Sequence, residues 1–181
     1  MKYSHRGFTL IELLVGIAIV AMLLVLAMPS VFNMLDSSRL KAAASSFSSG
    51  IQFARAQAIS RNQLVRFRPV VAGNLTAGWE VLDAGGVVLQ SRSQDEGMAT
   101  RVTVAASAGF VAVRFNGLGA ATFIDGTGAA VAVNPAVYTF SSPVAACAPG
   151  GPIRCLTIRV SSAGQTRLCD PASAAGDSRA C

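Results

Sequence analysis

The sequence predicts an α+β chain: a long N-terminal helix, its first half apolar enough to span a membrane, packed on a C-terminal antiparallel β-rich head of two sheets. Three observations carry this. An almost unbroken apolar run ends at Met28-Pro29, an apolar stripe at helical spacing continues to Ala58, and the chain beyond Asn62 reads as short alternating runs cut by turn residues.

From Leu13 to Met28 no residue is charged, and the 21 residues from Phe8 are interrupted only by Thr9 and Glu12. About 20 apolar residues cross a bilayer as a helix. A secretory signal peptide also opens on basic residues, as Lys2 and Arg6 do here, and Ala27 could mimic its cleavage site. Its apolar core, however, is only about 7 to 15 residues long. Glu12 argues against both a signal peptide and a plain anchor, because an ionised carboxylate in an apolar run costs a few kcal/mol unless it meets a partner.

Past Pro29, Leu40, Ala43, Phe47, Ile51, Ala54 and Ala58 recur at steps of three and four, while Arg39, Lys41, Gln52 and Arg55 lie off that stripe. Such a stripe is core, and it needs a sheet to cover it. With Asn62 as its end, the helix is about 55 residues or ~80 Å long. Beyond it, Val65 and Phe67 alternate with Arg66 and Arg68, Trp79–Leu82 and Val87–Gln90 flank Asp83-Ala84-Gly85-Gly86, and Val111 and Val113 alternate with Ala112 and Arg114. Further strands are expected at 102–105, 121–124, 137–140, 156–160 and 166–169. Closely spaced strands with no helix between them suggest antiparallel sheets laid on the stripe.

At the N-terminus, Arg6-Gly7-Phe8-Thr9-Leu10-Ile11-Glu12-Leu13 resembles the class III leader junction of type IV pilins and type II secretion pseudopilins. The resemblance implies cleavage between Gly7 and Phe8 by a prepilin peptidase, N-methylation of Phe8, and a mature chain that opens on its own membrane helix. Glu12 would neutralise the terminal ammonium of a neighbouring subunit, which gives the buried acid its partner and sets register more than stability. Pro29 stands where that family often bends its helix. The body is similar to the GspH/FimT branch, through Ala54-Arg55-Ala56-Gln57-Ala58-Ile59-Ser60-Arg61-Asn62, Gly78-Trp79, Arg114-Phe115-Asn116-Gly117-Leu118-Gly119, Leu156-Thr157-Ile158 and Gly164-Gln165-Thr166-Arg167-Leu168-Cys169. That branch includes minor pseudopilins and minor pilins. The implied divisions are a leader at 1–7, a membrane or filament-core helix at 8–29, its amphipathic continuation at 30–62 and a head at 63–181. The implied place is the inner membrane, crossed once, with the head in the periplasm and the subunit built into a pilus or pseudopilus beside other subunits.

Composition suits a small exported protein of one domain. The formal net charge is +6, and loss of Lys2 and Arg6 with the leader would leave thirteen basic against nine acidic side chains. This balance speaks to solubility more than to function. Cys147, Cys155, Cys169 and Cys181 all fall late, and in the oxidising periplasm they read as two disulfides. Three connectivities exist; sequential pairing, Cys147 with Cys155 and Cys169 with Cys181, closes two short loops and is favoured. Zinc would need CxxC-like spacing, which is absent.

The sole histidine, His5, lies in the leader, so the mature chain would have no imidazole for acid–base or nucleophilic chemistry. Asp95 and Glu96 are neighbours that would face opposite ways on a strand. Gly117-Leu118-Gly119 lacks the third glycine of a dinucleotide loop and reads as a turn. The expectation is therefore a non-enzymatic subunit with no catalytic residue, metal or cofactor, acting in assembly or initiation of a secretion pseudopilus or a pilus.

The alternative is a FimT-type minor pilin that binds double-stranded DNA for uptake in natural transformation, for which the resemblance implies Gly-Arg-x-Arg in the C-terminal hairpin. Here the stretch is Gly164-Gln165-Thr166-Arg167, so only Arg167 carries over. Arg154, Arg159 and Arg179 are near enough in sequence to rebuild a phosphate-binding patch. On the ordinary reading these arginines are solvated or paired with Asp170 and Asp177.

Overall fold

The computed structural model describes residues 9–72, 75–93 and 102–181. The chain divides into two compact units, Met1–Leu35 and Asp36–Cys181. The long helix α1 spans Leu10–Arg61. Its end is chemical: Asn62 adopts a left-handed conformation at φ 49°, which an asparagine tolerates, and Gln63 N–H donates to the Ala58 carbonyl at 3.2 Å.

In the second unit the strands are β1 (Val65–Ala72), β2 (Leu75–Leu82), β3 (Val88–Ser93), β4 (Thr103–Ala106), β5 (Ala112–Phe115), β6 (Ala121–Ile124), β7 (Ala130–Val131), β8 (Ala136–Ser141), β9 (Leu156–Val160) and β10 (Thr166–Cys169). They form a six-stranded sheet in the order β3-β2-β1-β5-β6-β7 and a four-stranded sheet in the order β10-β9-β8-β4. Every pairing between these strands is antiparallel. The fold is thus α+β, a long N-terminal helix followed by two antiparallel sheets. Two differences from the sequence pattern have local causes. β7 has only two residues, too few for an alternation to show, and β2 begins before Trp79 because it pairs with β1 as far as Ala72 opposite Leu75.

The expected stripe is the core of the second unit. Leu40, Ala43, Phe47, Ile51, Ala54 and Ala58 are all buried. The Phe47 ring meets Phe67 of the larger sheet edge-on at 5.7 Å and Phe140 and Tyr138 of the smaller at 5.1 and 6.3 Å. Phe110 packs between Phe123 and Tyr138 at 5.6 and 5.0 Å, so the sheets also close on each other. These edge-to-face rings add about 0.5–1.5 kcal/mol per pair beyond burial.

Trp79 is seated against α1 by two small residues one turn apart. Gly50 leaves room that a Cβ would not, since an added methyl would lie 2.9 Å from the Phe67 and Trp79 rings. Ser46 accepts the buried indole N–H at 2.9 Å. Ser46→Ala leaves that donor unpaired and should lower the unfolding free energy by about 1–3 kcal/mol, read by denaturant titration. Tyr138 presents the opposite case. Its hydroxyl is buried with no hydrogen-bond partner among the described residues, and burial pushes its pKa up. Tyr138→Phe should therefore leave stability unchanged or raise it by about 1 kcal/mol; a clear loss in the same titration would reveal a hidden partner.

Candidate functional site

Three places in the chain bear on function, and the first is the start of α1. Glu12 N–H donates to the Thr9 hydroxyl at 3.3 Å and Leu13 N–H to the Thr9 carbonyl at 3.2 Å, so Thr9 caps the helix. Thr9-Leu10-Ile11-Glu12 is the T-x-x-E pattern of a capping box, a start signal the sequence reading passed over. It places Glu12 in the first turn, where the helix dipole favours an acid. Around it Leu10, Ile11, Leu13 and Leu14 are all exposed within the unit, the least of them by 55%. A carboxylate here stands in an apolar face that the unit leaves uncovered. Gly7 and Phe8 lie outside the described residues, as do Asp95 and Glu96. Among the described residues no helix is long and apolar enough to cross a membrane; the side chains of residues 25–27 and 29, at the end of the apolar run, fall outside that description.

The second place is the end of α1, where three stretches far apart in sequence meet. Arg55 donates from Nε to the Gly119 carbonyl at 3.1 Å and from a terminal nitrogen to the Ala163 carbonyl at 3.3 Å. Asn116 shapes the β5–β6 turn by accepting the N–H groups of Leu118 and Ala120, both at 3.0 Å. Ala121 N–H then bonds the Ser162 carbonyl at 2.8 Å, which joins that turn to the β9–β10 turn. Gly164 is required there: its φ is +75°, and a Cβ would lie 2.0 Å from the Gly119 oxygen. Beside this junction α1 and the hairpin enclose an open hollow of about 740 Å³, whose walls include Gln52, Arg55, Ile59, Gln165 and Arg167.

The third place is the C-terminal tail, and it accounts for all four candidate DNA-binding arginines. Cys147 is bonded to Cys155 and Cys169 to Cys181, the sequential pairing. Cys169–Cys181 folds the tail back beside β10, and Asp170 N–H donates to the Arg179 carbonyl at 2.7 Å. Arg167 donates to the Ser178 and Ala180 carbonyls, at 3.3 and 3.0 Å, and Arg159 to the Cys181 main-chain oxygen. Arg154 pairs at 3.1 Å with Asp170, a buried acid, and Arg179 pairs at 2.8 Å with Asp177. Each cation therefore holds the tail or an acid. The sequence named the acids; the carbonyl partners of Arg159 and Arg167 depend on the tail's path, which the disulfide determines.

The hydrogen bonds from Arg179 hold the Asp177 carboxyl down to about 2. Because this pKa is depressed, the contact's contribution is full above the ordinary value of 3.8 and is lost as pH falls through about 2. A carboxyl-detected NMR titration should place the Asp177 midpoint near 2 and move it towards 3.8 in Arg179→Ala. Among the described residues no group of three His, Cys, Asp or Glu side chains could hold a metal ion.

A long N-terminal helix whose second half is cased in antiparallel sheets, with an acid in its exposed first turn, defines a pilin-like subunit. Residues 43–164 match the family model described as type II transport protein GspH, and residues 2–28 match the prokaryotic N-terminal methylation motif. The chain belongs to the GspH family, a family of minor pilins and pseudopilins of type IV pili or type II secretion. No curated protein matches it. Among solved structures it is similar to the type IV minor pilin FimU of Pseudomonas aeruginosa strain PAO1 in two crystal forms. One has 17% identity and a TM-score of 0.54 over 79% of this chain and 97% of FimU. The other has 16% identity and 0.52 over 75% and 97%. The minor pseudopilin EpsH from the type 2 secretion system of Vibrio cholerae has 16% identity and a TM-score of 0.49 over 75% of this chain and 99% of EpsH. At these identities the likeness to FimU is one of fold.

Proposed function

We propose that this chain is a non-enzymatic minor subunit that enters a type II secretion pseudopilus or a type IV pilus at assembly or initiation. A prepilin peptidase cuts between Gly7 and Phe8 and Phe8 is N-methylated. Residues 8–29 then lie in the inner membrane or the filament core, residues 30–62 continue the helix, and the head, 63–181, stands in the periplasm. The observation that carries the reading is Glu12 in the first turn of an uncovered apolar helix, within a matched methylation motif. A lone carboxylate in such a face is stable in a bilayer or a helical bundle when it meets a cation. The terminal ammonium of a neighbouring subunit supplies one.

Binding of duplex DNA is the weaker reading, because Arg154, Arg159, Arg167 and Arg179 already have carboxylate or carbonyl partners. Phosphates would have to displace these.

Glu12→Ala should leave the leader cleaved and the subunit in the membrane, but reduce its recovery in sheared filaments or in complexes with other subunits about tenfold, equivalent to ~1.4 kcal/mol. Quantitative immunoblotting of membrane and assembled fractions reads this. Unchanged recovery would remove Glu12 from the assembly contact.

A further inference from the structure

Each sheet carries a pair of arginines directly opposed across neighbouring strands. In the smaller sheet Arg159 stands opposite Arg167, and in the larger Arg66 stands opposite Arg114. Like charges in such register work against strand pairing. For Arg159 and Arg167 the repulsion is offset within the chain, because main-chain oxygens of the tail accept from both guanidiniums. Arg66 and Arg114 have no such relief: neither guanidinium makes a hydrogen bond or ion pair among the described residues.

The strands place this second pair on the outer face of the larger sheet. Val65, Phe67, Val113 and Phe115 are buried, so alternation turns Arg66 and Arg114 the other way, the first exposed and the second half-buried. Together with Leu64, Asp83 and Ala84 they line a hollow of about 150 Å³. Asp83 lines the same hollow but makes no direct ion pair with either arginine; its carboxylate accepts from Val87 N–H at 2.8 Å to close the β2–β3 turn. The nearby Arg68 is already paired with Glu80.

We propose that Arg66 and Arg114 form a receptor site for one carboxylate side chain, Asp or Glu, of a neighbouring subunit. The chemistry of the pair suits this occupant. Two adjacent guanidiniums offer planar donors that match a carboxylate in bidentate fashion. The hollow is smaller than the roughly 300–1,000 Å³ of ordinary ligand pockets, a size that suits a single side chain. Leu64 and Ala84 supply apolar wall for the methylenes of that side chain. The proposal rests on the assembly reading above, which supplies the neighbouring subunit.

The test places a photo-cross-linking amino acid at Thr122, the exposed register neighbour of Arg114 on β6, in the full-length chain assembled in its membrane. The expected result is a cross-link to another subunit at a peptide containing Asp or Glu. The yield should fall at least about tenfold in Arg66→Gln/Arg114→Gln and stay above half in Arg66→Lys/Arg114→Lys, which keep the charge. The Gln variant should unfold at the same temperature or higher, because a like-charge pair has been removed. No cross-link at Thr122, an unchanged yield in the Gln variant, or a lowered unfolding temperature would overturn the proposal. Glu12→Ala in the same assay separates the two ideas. Loss of recovery there with an unaffected arginine variant leaves the assembly reading standing and removes this site.

Discussion

The second unit depends on one ring. Phe47 projects from α1 where the two sheets converge, and its edge-on contacts with Phe67, Tyr138 and Phe140 tie the helix to both sheets at once. The residues above and below it on the stripe are small or aliphatic, so strands can approach the helix closely, and Gly50 lets Trp79 lie against the backbone. Two sheets that share a helix in this way need no long crossover between them. Within the larger sheet the β2–β3, β5–β6 and β6–β7 connections are short, held by turns at Asp83, Asn116 and Asp125.

With the helix face consumed by the core, what remains for function is at the ends and on the outside. The first turn of α1 offers Glu12, and the last turns offer the Arg55 junction, where a single guanidinium holds two turns from different sheets. The GspH-like stretches 54–62, 114–119 and 164–169 thus acquire a shared physical meaning, since they form the place where helix, larger sheet and smaller sheet are locked in register. On the outer faces, the opposed arginine pairs show how one device has two outcomes. Where a disulfide brings a tail of main-chain oxygens across, the charges are satisfied internally; where none of the described segments comes across, they face outward.

Much of this was legible in the chain. Steps of three and four from Leu40 to Ala58 named the buried face, because burial on one side of a helix imposes that period on any sequence. The strands at 121–124, 156–160 and 166–169 were readable with their ends, because glycine and turn residues bracket them. Other features were illegible for equally physical reasons. A two-residue strand such as β7 has no period. The bond from Trp79 to Ser46 links positions 33 apart, and nothing local in either stretch encodes it. The arginines first grouped by their nearness in sequence turned out to be distributed among separate partners, because a tail's path depends on where its disulfide closes.

By itself the sequence determined the local chemistry: an N-terminal methylation motif that holds an acid at Glu12, a helix with one apolar face, short strands, and four cysteines late in the chain. These are short-range properties, set by periodicity, turn chemistry and residue type. Only the tertiary structure decided which charges are satisfied. Arg159 and Arg66 look alike in sequence, each an arginine between apolar strand neighbours, and each stands opposite another arginine. What separates them is whether a distant segment of backbone comes within hydrogen-bonding distance, and that is a property of topology and not of any local pattern.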